Sequence, residues 1–170
     1  MRYEILSEPT ELSVGMATIR AHCRKVDSIF DDEIPMLTLY CRAIENFILR
    51  RRNLALKPAT FKVYVEKEDE GKPFVILPVC PVIDITDEQG NEIDNVYTSG
   101  QPSKLYGSFV EGQSFVVTAG FEGDIPQDLQ AAVLLGTSER YERREINEAI
   151  KLEEVPKAFA DLISHWGFTT

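Results

Sequence analysis

Apolar positions recur at helical spacing near both ends of the chain and alternate with polar ones in its middle. Residues 1–12, with Glu8 and Pro9, read as an extended arm. Ser13 then offers an N-cap for a helix over 13–25, on which Met16, Ile19, Cys23 and Val26 share one face. Asp31, Asp32 and Glu33 place negative charge where the next helix starts, and Pro35 falls in its first turn, where a missing N–H costs little. Leu37, Cys41, Ile44 and Ile48 form the stripe of this second helix, over 32–52, with Tyr40 and Phe47 widening it. Arg50, Arg51 and Arg52 lie at its C-terminal end, where cations suit the macrodipole, and Asn53 is placed to close it.

The period then changes. Phe61, Val63 and Val65 alternate with Lys62, Tyr64 and Glu66, the pattern of a half-buried strand. Phe74–Leu77 is a short apolar strand stopped by Pro78 and Pro81. Val82–Thr86 and Glu92–Tyr97 flank Asp87-Glu88-Gln89-Gly90-Asn91, which reads as a hairpin loop. Leu105–Val110 and Ser114–Ala119 flank a turn at Glu111-Gly112-Gln113. Residues 58–119 are therefore expected to form an antiparallel β insertion.

Helical spacing returns over 126–146. Pro126 stands near the helix start, Leu129, Val133 and Gly136 share a face, and Leu134, Thr137 and Tyr141 share its neighbour. After the charged linker Lys151–Glu154, Pro156 opens a last helix with Phe159, Leu162, Ile163 and Trp166 in one stripe and Gly167 placed to end it. The expected class is α+β: a helical bundle or hairpin core with an inserted small antiparallel β unit and a C-terminal amphipathic helix. Its domain plan is a body over 1–150 followed by a segment over 151–170.

Composition narrows the function. The formal net charge is −10, so the surface as a whole repels nucleic-acid phosphates rather than holding them. The three cysteines, Cys23, Cys41 and Cys80, are odd in number and widely spaced, which fits neither a disulfide framework nor a zinc motif. Met1-Arg2-Tyr3-Glu4 opens without an apolar leader, and no stretch approaches the ~20 apolar residues that span a bilayer, so folding in a cytoplasm is the expectation.

Candidate chemistry is sparse. His22 and His165 are the only histidines and sit in no metal-ligand pattern. No Gly-x-Ser-x-Gly elbow, phosphate-cradling glycine loop or paired cysteine–histidine motif is present. No cofactor, metal or catalytic residue is assigned. Two features remain with two readings each. Arg50, Arg51 and Arg52 either cap a helix or touch an acidic partner or passing DNA. The stripe of Phe159, Leu162, Ile163 and Trp166 either packs on its own subunit or lies on a neighbour, where a Trp suits an interface anchor.

The order of these pieces resembles the head–tail connector (adaptor) family of tailed phages, the ring that completes the head beneath the portal. The resemblance lies in the arm Met1–Pro9, the two helices around Asp31–Glu33, and the segment Phe74–Ile85 with Leu77-Pro78 and Cys80-Pro81. It continues through Phe115-Val116-Val117-Thr118-Ala119-Gly120-Phe121 followed by Ile125-Pro126, Tyr141-Glu142-Arg143-Arg144-Glu145, and Val155-Pro156 with the last helix. It implies a non-enzymatic, homo-oligomeric ring, expected twelvefold. Such a ring bridges portal protein to a stopper or tail protein in the virion and passes double-stranded DNA without reading it, with no membrane partner. Family members commonly grip the portal with their C-terminal segment, which by this resemblance gives Val155, Phe159, Leu162, Ile163 and Trp166 a portal-docking role. A stopper or tail-terminator ring, a host adaptor protein and a small hydrolase are the alternatives.

Overall fold

The structure, a computed structural model, describes residues 1–23, 32–91, 93, 97–98, 101–143 and 157–168. It is α+β, and its residues fall into two compact units. The first comprises Met1–Thr10, Leu49–Gly123 and Trp166–Thr170, and the second Glu11–Ile48 and Asp124–His165.

The first unit holds all the strands found among the described residues. Strands β1 (Arg2–Ser7), β2 (Ala59–Tyr64), β4 (Val82–Thr86) and β7 (Ser114–Ala119) form an antiparallel sheet in the order β1-β2-β7-β4. Strands β3 (Phe74–Ile76), β5 (Tyr97–Thr98) and β6 (Lys104–Tyr106) form a second sheet in the order β3-β6-β5. The alternation read in β2 is realised: Phe61, Val63 and Val65 are buried, opposite Phe115 and Val117 of β7. Val75 of β3 and Leu105 of β6 join the same core, with Leu77, Val79, Val82, Ile85 and Phe109. Fully burying one such side chain stabilises the fold by about 1.5–3 kcal/mol.

Strand partnerships in this unit join segments distant in sequence. The extended segment expected over residues 1–12 includes β1, which pairs with β2. Tyr3 meets Phe61 edge-on at 5.6 Å, Arg2 lies 5.0 Å over the Tyr64 ring, and the Tyr64 hydroxyl donates to Glu4 at 3.1 Å. All three partners are distant in sequence, so local pattern could not show them. β4 pairs with β7 and β5 with β6, while residues 92 and 94–96, which make up most of the other strand of the hairpin expected after Val82–Thr86, lie outside the described residues. The Asp87 carboxylate accepts the backbone N–H groups of Gln89 and Asn91 at 2.9 and 2.8 Å, which closes the turn on itself. β6 and β7 are not a hairpin. The turn between them bonds to the end of β2 instead, through Val65 N–H to Gln113 O at 2.8 Å and Gly112 N–H to Val65 O at 3.1 Å.

The second unit is helical: α1 (Met16–His22), α3 (Gln127–Arg143), α4 (Lys157–Ile163) and most of α2 (Ile34–Arg52), whose last turn belongs to the first unit. α2 buries Leu37, Cys41, Ile44 and Ile48, the stripe its spacing predicts. Asn53, with φ 52°, ends it in the left-handed region. Ser13 does not cap α1. Gly15 is the N-cap residue, and the Ser13 N–H donates to Glu45 Oε1 at 2.6 Å. Residues 24–25, expected at the end of this helix, and 144–146, expected at the end of α3, lie outside the described residues. α3 buries Leu129, Val133, Gly136, Thr137 and Tyr141. A Cβ on Gly136 would meet Ile44 Cδ1 at 2.7 Å, so the missing side chain sets how closely α2 and α3 approach. The Tyr141 hydroxyl donates to Glu33 at 2.5 Å.

Gly120 ends β7 at φ +138°, and a Cβ there would lie 2.3 Å from the Lys57 carbonyl carbon and oxygen. Both the dihedral and the backbone contact oppose any side chain. Gly120→Ala should destabilise the protein by about 3 kcal/mol, combining backbone strain and overpacking. Gly123→Ala, in open space, should stay within about 0.5 kcal/mol. Urea midpoints of the two variants check this, and equal midpoints would refute it.

Candidate functional site

Two of the features singled out from the sequence, the Arg50–Arg52 run and Trp166, meet at the C-terminal end of α2, in an arrangement the sequence does not suggest. Arg50 and Arg51 are exposed on the last turn. Arg50 sits near Tyr3, whose hydroxyl is raised in pKa by burial and pulled back by the Arg50 charge. Arg52 turns to another task. Its Nε donates to Trp166 O at 2.6 Å, and its own carbonyl accepts the Phe168 N–H at 2.9 Å. Asn53 Nδ2 donates to Phe168 O at 3.0 Å, and the Gly167 N–H donates to Gln101 Oε1 at 3.0 Å. Gly167 has φ +63°, and a Cβ on it would stand 1.9 Å from Arg52 O. The chain at Trp166–Phe168 is therefore a clasp closed on the end of α2, and only glycine fits at its centre. The Trp166 ring meets Phe121 edge-on at 6.4 Å.

The other predicted docking residues divide. Phe159 and Ile163 are buried in the second unit, where α4 packs on α3 and the Phe159 ring meets Phe47 edge-on at 5.8 Å. Leu162 and Trp166 are half-buried, and Val155 lies outside the described residues. A stripe that looks continuous in sequence is split between units, because α4 ends at Ile163 in a turn where Ser164 donates twice to Asp161 O.

A second surface was not legible in the sequence. On the three-stranded sheet Val75 and Leu105 point inward, while Phe74, Ile76 and Tyr106 point outward with 36, 45 and 39% of their surface exposed. Phe74 and Tyr106 lie 5.7 Å apart, with Lys104 Nζ 4.9 Å over the Phe74 ring. Beside them runs a groove of about 390 Å³ whose lining includes Pro73, Phe74, Ile76, Pro78 and Phe168. At its end the Met1 amine lies 2.7 Å from Glu66 and 3.1 Å from Asp69. The continuous apolar run Phe74–Leu77 hides the alternation that sends Phe74 and Ile76 outward.

Two of the three cysteines are locked in structure. The Cys41 thiol donates to Glu45 Oε1 at 3.8 Å, and burial, reinforced by that carboxylate, pushes its pKa up to about 12. Burial does the same to Cys80, against the opposing charge of Arg52. Neither is a thiolate at neutral pH, which a cysteine nucleophile must be. Among the described residues no three His, Cys, Asp or Glu side chains gather to hold a metal ion, and no helix is long and apolar enough to cross a membrane.

No protein-family model matches the chain, and no curated protein sequence matches it. Solved structures do. The chain is similar to one from a structure described as the virion of a native gene transfer agent (GTA) particle, with a TM-score of 0.76 and 22% identity. That match covers 100% of this chain and 97% of the other. With the same coverage it is similar to a chain from the neck of an empty GTA particle computed with C6 symmetry, at TM-score 0.73 and 19% identity. A third, from the neck of a native GTA particle computed with C12 symmetry, gives TM-score 0.68 and 22% identity, again over 100% and 97% of the two chains. The chain thus shares its fold, end to end, with chains of gene transfer agent particles.

Because Cys41 and Cys80 are buried and protonated, an aromatic disulfide reagent at pH 8 should label neither in the folded protein and both after denaturation. Rapid native labelling at either position, located by peptide mass, would contradict this assignment.

Proposed function

We propose that this chain is a structural, non-enzymatic subunit of the neck of a phage-like particle: a head–tail connector that forms a homo-oligomeric ring on the portal and bridges it to a stopper or tail protein. The observation that carries the reading is the fold, matched along its whole length by chains from gene transfer agent particles, two of them from necks with sixfold or twelvefold symmetry. The order of sequence motifs supports the same assignment independently.

Charge fits the task. Subunits of formal charge −10 set in a ring of about twelve would present a strongly negative channel wherever acidic groups face inward, so DNA would slide rather than stick. A cyclic ring also needs two different faces per subunit that meet head to tail. α2 and α3 are the proposed faces, and Leu39 of α2, with 65% of its surface exposed, is an apolar side chain that such a contact would cover. Portal docking is assigned to the C-terminal segment. There Leu162 and Trp166, the half-buried members of its stripe, make first contact, while Phe159 and Ile163 hold α4 in place. Arg50 and Arg51, both exposed, are offered to an acidic partner or to passing DNA.

Mixing this protein with rings of its cognate portal should give a ring-on-ring complex, visible by negative-stain imaging and by mass. Leu162→Asp and Trp166→Ala should each weaken that association by about tenfold or more, as loss of an interface anchor does. A protein that stays monomeric beside portal but joins purified tail tubes would move the assignment to the tail-side ring. Intact portal binding by both variants would remove the docking role from this segment.

A further inference from the structure

The clasp at Trp166–Phe168 holds its segment in an unusual way. A C-terminal strap that served only to complete a fold would bury its large side chains. Here Trp166 and Phe168 both stay half-buried, and the closing bonds run through the strap's backbone. Trp166 O, Gly167 N–H, Phe168 N–H and Phe168 O each find a partner on Arg52, Asn53 or Gln101. Hydrogen bonds of this kind can be exchanged for water or for another chain at little net loss, whereas a buried aromatic anchor cannot. The exception is steric. Gly167 at φ +63° lies so close to Arg52 O that the closed state depends on the absence of one carbon atom.

The strap also occupies something. Phe168 forms part of the lining of the groove beside Phe74 and Ile76. Trp166 rests on Phe121. The chain is thus anchored immediately beyond α4, and the aromatic residues best suited to gripping a partner are engaged in cis.

We propose that Trp166–Phe168 is an autoinhibitory strap: closed on Arg52, Asn53 and Gln101 it holds the C-terminal segment in the free subunit, and docking on a partner ring requires it to open. The inference rests on the docking role assigned above. It predicts that the free subunit binds portal more slowly than its exposed surface would allow, because only molecules with an open strap are competent.

The test uses the single tryptophan of the chain as a reporter of the strap itself. Gly167→Ala should open it, shift Trp166 emission to longer wavelength, and raise the association rate with purified cognate portal rings several-fold, with the far-ultraviolet circular dichroism unchanged. Gln101→Ala removes one exposed bond and should shift emission and rate in the same direction by less. This milder variant decides the matter if Gly167→Ala does not fold. Red-shifted emission with no faster binding would overturn the proposal, as would unchanged emission in both variants. Wild-type protein that binds no portal at all would instead remove the docking role on which the strap depends. That outcome is read from the wild type alone and is distinct from a failure of the variants.

Discussion

The antiparallel ladder between β2 and β7 is the pairing on which the first unit rests. Ala59 to Tyr64 lie opposite Ala119 to Ser114 without a register break, which stacks Phe61 on Val117 and Val63 on Phe115 on one buried face. A slip of one residue would turn that entire set outward. β1 and β4 add to the two outer edges of this pair, and each takes up a register irregularity in doing so. The small sheet contributes Val75 and Leu105 to the same core. Gly120 ends β7 hard against the Lys57–Pro58 backbone, immediately before β2 begins. The central register and the chain entering it are therefore set together.

In the helical unit close approach does the equivalent work. Gly136 brings α3 against Ile44, and Glu45 accepts the Ser13 N–H ahead of α1. Cys41 is buried beside this carboxylate, with the buried Thr137 against its thiol. The result is a polar knot inside a helical core. Such groups are retained at a cost in stability and specify one arrangement of helices over others. This offers a physical reason for a cysteine, a threonine and a glutamate where a stripe of leucines would otherwise serve.

A subunit of the kind proposed would need surfaces that are soluble alone and adhesive together. High net negative charge serves the first requirement. Apolar groups left outside would serve the second: Leu39 on α2, Ile5 and Leu6 on β1, and the Phe74–Ile76–Tyr106 face. The clasp around Gly167 belongs to the same balance, since it keeps Trp166 half-covered in the isolated chain. Arg52 fits the first of its two readings and makes a bond that neither foresaw. It stands at a helix end where cations are favoured, and there its Nε donates to the Trp166 carbonyl.

Local periodicity determined a good deal by itself. The α+β class, the stripe Leu37–Cys41–Ile44–Ile48, the inward set of β2, the stop at Asn53 and the α3 face were all legible, because burial imposes a period of 3.6 or 2 directly on the residues. What only the tertiary structure decided was partnership. β1 reads as an arm because its partner β2 lies far along the chain, and β6 and β7 flank a turn that suggests a hairpin they do not form. The outward set of β3 is masked by an unbroken apolar run, and the clasp joins Arg52 to residues near the far end of the chain through backbone atoms that carry no sequence signature. Side-chain pattern reports which face is buried. It is silent about which distant backbone supplies the hydrogen bonds, and in this protein those bonds decide what happens to its candidate docking segment.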